Sequence, residues 1–69
     1  MGIKKKNLRT GDLIVPNKNA SAYFRRLHKL GIVIRLQGEY MVDVYWIYRE
    51  EIHAASLSKV KRINHRYSK

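Results

Sequence analysis

Apolar positions along the chain recur mostly in short alternating runs, the period of a strand with one buried face. The longest such stretch is segment 31–48, GIVIRLQGEYMVDVYWIY, in which two runs rich in Val, Ile, Tyr and Trp flank Gln37-Gly38-Glu39. β-Branched and aromatic runs around a glycine turn predict a β-hairpin. Nothing else in the chain is apolar for as long, so the core is expected here. Period two puts Ile32, Ile34 and Leu36 on one face with Val42, Val44 and Trp46. Arg35 and Asp43 mark the solvent side, which leaves Val33, Met41, Tyr45 and Ile47 as an unusually apolar outer face. That face is expected either to be covered by segment 16–30 or to serve as a contact surface.

The flanking segments predict shorter elements. Thr10-Gly11-Asp12 reads as a turn, and Leu13-Ile14-Val15 as a strand that stops at Pro16, which has no N–H to give to a ladder. Segment 17–22 is small and polar, hence a loop. In segment 22–30, Tyr23, Phe24, Leu27 and Leu30 fall on one helical face, with Asn19 or Ser21 available as a cap and Gly31 at the C-terminal glycine position. The competing reading is a long loop whose aromatic residues tuck onto the sheet, and the segment is read as a loop with at most one or two helical turns. Segment 48–51 is a polar turn, Ile52-His53 a short strand, and 54–57 a 3₁₀ turn. Segment 59–63 returns to alternation as a last strand with a charged edge. The expected fold is mainly β: a small, partly open barrel of about five strands, with a long first loop and a 3₁₀ turn before the last strand. Its domain is placed at 10–63, between a flexible basic arm at 1–9 and a basic tail at 64–69.

Length and composition restrict this picture. Sixty-nine residues allow one domain, near the size at which a single core is marginal. With no cysteine, neither a disulfide nor a thiolate metal site can reinforce it. The basic N-terminal residues lack the apolar region of a signal peptide, and no run approaches the roughly 18 apolar residues of a membrane span. A cytoplasmic location without membrane association is expected.

Charge changes the picture more. Fifteen Lys and Arg against five Asp and Glu give a net charge of +10. Lys4, Lys5, Lys6 and Arg9 lie at one end, and Lys59, Lys61, Arg62, Arg66 and Lys69 at the other, with no acid among them. The residues between are nearly balanced. Such polycationic ends favour a polyanionic partner, because neutralising phosphates releases condensed counterions; basicity that serves only solubility is the plain alternative.

Catalytic chemistry has little support. No serine stands in a nucleophile-elbow setting. Glu50 and Glu51 are adjacent and diverge on an extended chain. His28, His53 and His65 lack ligand spacing, and Gly11, Gly31 and Gly38 are scattered turn positions rather than a phosphate loop. The chain is expected to be no enzyme, and to hold no metal and no cofactor. Tyrosines interleaved with cations, Tyr23 before Arg25-Arg26 and Tyr67 after Arg66, instead match the stacking and cationic tracking by which single-stranded nucleic acid is held.

The order Gly11-Asp12-Leu13-Ile14-Val15, Gly31-Ile32-Val33-Ile34, Val42-Asp43-Val44-Tyr45-Trp46 and Leu57…Val60 resembles the SH3-like barrel superfamily over residues 10–63. It is most similar to the small SH3-like proteins of tailed bacteriophages, and more distantly to KOW and retroviral-integrase C-terminal barrels. The motifs carrying the resemblance mark strands, so it implies a fold more than an activity. Members that bind nucleic acid use outward basic and aromatic residues of the strands and first long loop, a use that Tyr23, Arg25, Arg26, Lys29, Arg35 and Tyr45 would match. Trp46 is phased inward, which argues against a methyl-lysine cage, and the first loop lacks the acidic residues of a proline-peptide groove.

The expected function is therefore non-catalytic nucleic-acid binding, with DNA and RNA both open. The residues expected to contact phosphate or bases are Lys4, Lys5, Lys6, Arg9, Tyr23, Arg25, Arg26, Lys29, Arg35, Tyr45, Lys59, Lys61, Arg62 and Arg66. The alternative is a phage-type adaptor that docks on an acidic host or virion protein through the outer apolar strip. A monomer is expected.

Overall fold

Five strands form where the alternation predicts them in the computed structural model, which describes residues 8–63. They are β1 (Leu13–Pro16), β2 (Gly31–Gln37), β3 (Met41–Trp46), β4 (Glu51–Ser56) and β5 (Val60–Arg62). A helix, α1 (Ala22–Leu27), fills the first connection, and a 3₁₀ turn (Leu57–Lys59) joins β4 to β5. The strands make one antiparallel, open sheet in the order β4-β3-β2-β1-β5.

That order forces the sheet to curl. β4 and β5 lie at its two edges, yet only four residue steps separate Ser56 from Val60. Four steps reach at most about 14 Å, whereas strands at opposite edges of a flat five-strand sheet stand about 19 Å apart. The connection is made only if the edges bend toward each other. The enclosed space holds Leu8, Ile14, Val33, Val42, Val44, Trp46, Ala55, Leu57 and Val60, with Phe24 and Leu36 packed against them.

The hairpin is the centre of this core, and one strand departs from strict alternation. On β3, Val42, Val44 and Trp46 are buried, as period two requires. On β2 the expected inward set of Ile32, Ile34 and Leu36 is corrected. Val33 is buried at 1% exposure, while Ile34 is 42% exposed. The reason is a bulge. Val33 pairs with Val44 and Arg35 with Asp43, so two steps on β2 match one on β3, and the residue between them shifts the phase. Gly31 and Val33 face inward before the bulge, and Leu36, opposite Val42, packs inward after it. Gly31 is required by close approach, since a Cβ there would lie 2.3 Å from Val44 Cγ1 and 2.8 Å from Trp46 Cε3.

Segment 16–30 does not cover the outer face. α1 places Phe24 and His28 against Trp46, on the inward side of the sheet. Ser21 is its N-cap, with Oγ accepting the Phe24 N–H at 3.0 Å, and His28, rather than Gly31, ends it. A helix this short is held by packing rather than propensity. The end of β4 also moves: it runs through Ser56, so the 3₁₀ turn begins at Leu57 rather than at residue 54. Leu8 and Arg9, expected in a flexible arm, belong to the folded unit. Leu8 is a core residue, and the Arg9 N–H donates to Asp12 Oδ2 at 2.8 Å. The rest of the expected arm, 1–7, and the tail, 64–69, lie outside the described residues.

Candidate nucleic-acid interface

The described residues hold ten Lys and Arg and five Asp and Glu. Three carboxylates each hold an arginine. Asp43 Oδ2 lies 3.1 Å from Arg35 Nη2 and also accepts from Arg35 Nε, while Asp43 Oδ1 accepts from Gln37. Asp12 Oδ2 lies 3.7 Å from Arg62 Nη1. Glu51 Oε1 lies 3.4 Å from Arg49 Nε, which is buried and has no hydrogen-bond partner among the described residues. Subtracting those three from ten leaves seven cations without a carboxylate partner among the described residues: Arg9, Lys18, Arg25, Arg26, Lys29, Lys59 and Lys61.

Most of the seven belong to one side of the molecule, and the backbone explains why. Asn17 and Asn19 tie the loop before α1 to the 3₁₀ turn. Asn17 Nδ2 donates to Ser58 O at 3.0 Å and to Val60 O at 3.3 Å, Asn19 Nδ2 donates to Ser58 O at 3.3 Å, and the Asn17 N–H donates to Lys59 O at 2.8 Å. Lys18 rides between these two anchors, and Lys59 Nζ donates to Asn19 O at 3.1 Å. Because Phe24 and His28 point at Trp46, the exposed Arg25 and Arg26 follow the opposite face of the helical turn, and the exposed Lys29 follows its end. Tyr23 stands beside them at 68% exposure.

Between α1 and β4 lies a cleft of about 270 Å³, lined by Ser21, Phe24, Met41, Ala54, Ala55, Ser56 and Lys59. The lining is mainly apolar, carries one cation and contains no carboxylate. Tyr40, 75% exposed, adjoins it, because its carbonyl accepts the Leu57 N–H at 2.8 Å.

At the other end of α1 is an aromatic and imidazole cluster. His28 stacks on Phe24 with centroids 4.2 Å apart, meets Trp46 edge-on at 4.9 Å and stands 6.0 Å from the His53 ring. Its Nδ1 donates to Phe24 O at 3.2 Å. Burial holds the His28 imidazole below its ordinary pKa; the Phe24 carbonyl opposes this, Arg49 and His53 reinforce it, and Glu51 opposes it. His53 Nε2 lies 2.6 Å from Glu51 Oε1, and that hydrogen bond, with Arg49 beside it, lowers the Glu51 pKa. Among the described residues, no group of three or more His, Asp and Glu is arranged to hold a metal ion.

The outer face of the sheet differs in kind. Pairing places Leu13, Ile32, Tyr45 and Ile52 in one row across β1, β2, β3 and β4. Each is at least partly exposed, Ile52 most of all. The next row carries the Arg35–Asp43 pair.

The expected contact residues are thus divided. Tyr23, Arg25, Arg26, Lys29 and Lys59 belong to the α1 side, where none of these cations has a carboxylate partner among the described residues. Lys61 is exposed and faces outward on β5, while Arg62 is engaged by Asp12. Arg35 and Tyr45 belong to the outer face, Arg35 closed by its carboxylate and Tyr45 half-buried in the apolar row. Arg9 is exposed at the turn before β1. Lys4, Lys5, Lys6 and Arg66 lie outside the described residues. Sequence reasoning passed over Lys18 and Tyr40. The asparagines flanking Lys18 were the available signal, but only their long-range bonds to residues 58–60 bring it beside Lys59.

Comparison with known protein families, curated proteins and solved structures finds no match. Among the described residues, no helix is long and apolar enough to cross a membrane.

Proposed function

We propose that this protein is a small, non-catalytic SH3-like barrel of the bacteriophage type that binds nucleic acid in the cytoplasm. The strand order and the 3₁₀ turn before β5 support the superfamily assignment. The single observation that carries the binding reading is the segregation of charge. Arg35, Arg49 and Arg62 are engaged by carboxylates, while Lys18, Arg25, Arg26, Lys29 and Lys59 gather around α1 and the 3₁₀ turn with none. Cations without a carboxylate partner beside exposed tyrosines attract phosphate by counterion release and offer rings on which bases stack. The test is a salt-dependent titration against duplex DNA, single-stranded DNA and RNA. Affinity is expected to fall steeply with salt, and a curve unchanged between low and physiological ionic strength refutes the proposal.

A second reading rests on a different observation, the apolar row Leu13, Ile32, Tyr45 and Ile52. Such a row fits an adaptor docking on an acidic protein. Capture from a nuclease-treated lysate distinguishes the two, since a protein partner survives nuclease and a nucleic-acid partner does not.

A further inference from the structure

Resting on the nucleic-acid reading, we infer that the cleft between α1 and β4 is the seat of one unpaired base, so that the preferred ligand is a single strand. The cleft's volume of about 270 Å³ lies at the small end of ligand sites, room for a flat ring and little more. Phe24, Met41, Ala54 and Ala55 supply an apolar lining on which a base face is desolvated, and no carboxylate is among the lining residues. Lys59 is at the rim, with Lys18 held on the same corner by the asparagine anchors, so cations stand where the backbone of a seated nucleotide would pass.

Two further features favour a base over another small group. Ser21 Oγ uses a lone pair to accept the Phe24 N–H, which leaves its proton to donate to a base carbonyl. Tyr40 and Tyr23 precede the lining residues Met41 and Phe24 and are largely exposed, so rings are available to neighbouring bases. A duplex satisfies none of this, because its bases are stacked and paired and cannot enter a cleft without being extruded. Charge complementarity admits any polyanion. The apolar lining and the tyrosines select one that carries flat rings.

The test compares the full chain binding a ten-nucleotide oligodeoxythymidylate with a hairpin duplex of equal phosphate count, at one salt concentration, by fluorescence anisotropy. The strand is expected to bind at least tenfold more tightly. Ala54→Phe, at an exposed edge-strand position that borders the cleft and pairs with Asp43, adds bulk at its wall; it should reduce that ratio to near one while leaving duplex affinity and the melting temperature unchanged. Met41→Trp adds bulk from the neighbouring strand β3, on the same sheet wall, and should act alike even if Ala54→Phe fails to fold. Equal affinity of the wild type for strand and duplex overturns the base seat and leaves general nucleic-acid binding standing, as does a strand preference that survives both substitutions. Displacement of the strand by polyglutamate as readily as by unlabelled strand also overturns the seat, since the peptide has charge without bases. Binding of neither oligonucleotide overturns the underlying functional reading as well.

Discussion

Arg35 and Arg25 are both exposed arginines, but their surroundings differ. Arg35 stands on the outer face of the sheet with two nitrogens on Asp43 Oδ2. Arg25 stands on α1, whose side of the molecule carries Lys18, Arg26, Lys29 and Lys59 and has no carboxylate partner for any of them among the described residues. On the outer face Arg35 is closed by Asp43 beside an apolar row, and among the described residues only Lys61, at the β5 edge, is left open. The cations of the α1 side have no carboxylate partner, and Lys59 among them lines the cleft. Counting positive charges along the chain does not distinguish them. What makes a cation available to a polyanion is the absence of an acid across from it, and strand pairing and loop anchoring decide that.

The comparison stands only if both regions hang on the same core, and the largest expected effect tests this. Trp46 is the shared piece, buried beneath Phe24 and His28 and beside Gly31. Trp46→Ala should cost about 3–5 kcal/mol by chemical denaturation. That is enough to unfold a marginal domain of this size, and a stable, cooperative variant would show that α1 is not seated on it. Next in size is a test of the open side itself. Replacing Arg25, Arg26 and Lys59 together by alanine should reduce the log–log salt slope on duplex DNA by about 2.7, at roughly 0.9 for each lost phosphate contact. Arg35→Ala should leave the slope nearly as it was. Equal reductions would erase the distinction between the two regions.

Smaller effects sharpen it. Asn17→Ala removes the donor shared by Ser58 O and Val60 O and the acceptor for the Asn19 N–H. A loss of about 1–3 kcal/mol is expected, together with weaker strand binding as Lys18 and Lys59 come apart. Unaltered affinity would show that the anchor serves the fold alone. Acidification probes the far end of α1. The His28 pKa is lowered in the folded protein, so its neutral form is favoured there. Its contribution is present at and above the ordinary imidazole pKa of about 6.5 and is lost as pH falls below it. The melting temperature should therefore drop between pH 8 and 5.5, less so in His28→Gln; identical drops in both proteins would assign the effect elsewhere. The smallest effect belongs to the closed region. Breaking the exposed Arg35–Asp43 pair by Arg35→Ala should change stability by about 1 kcal/mol or less, and a larger loss would mean that the pair fastens the bulge at Ile34.

Much of the fold was legible because its signals are local. The inward set Val42, Val44 and Trp46, the turn at Gly38 with its positive φ of 58°, and the stop at Pro16 follow from alternation and backbone chemistry. The Ser21 cap was legible for the same reason. The phase of β2 was not, because a bulge belongs to a pair of strands. Nothing in Ile32-Val33-Ile34 marks Ile34 as the residue left out of register. Leu8, too, reads as part of a basic segment until the packed core encloses it.

The sequence alone determined a mainly β chain with one dominant hairpin, a strong excess of cations and no means of covalent reinforcement, since these depend on period, composition and residue chemistry. Only the tertiary structure decided which cations are neutralised, where α1 rests and that Lys18, Ser21, Met41 and Lys59 meet around one cleft. Those are relations between residues far apart in the chain, 43 positions in the case of Asn17 and Val60. They exist only once a four-step connection has bent the two edges of the sheet together.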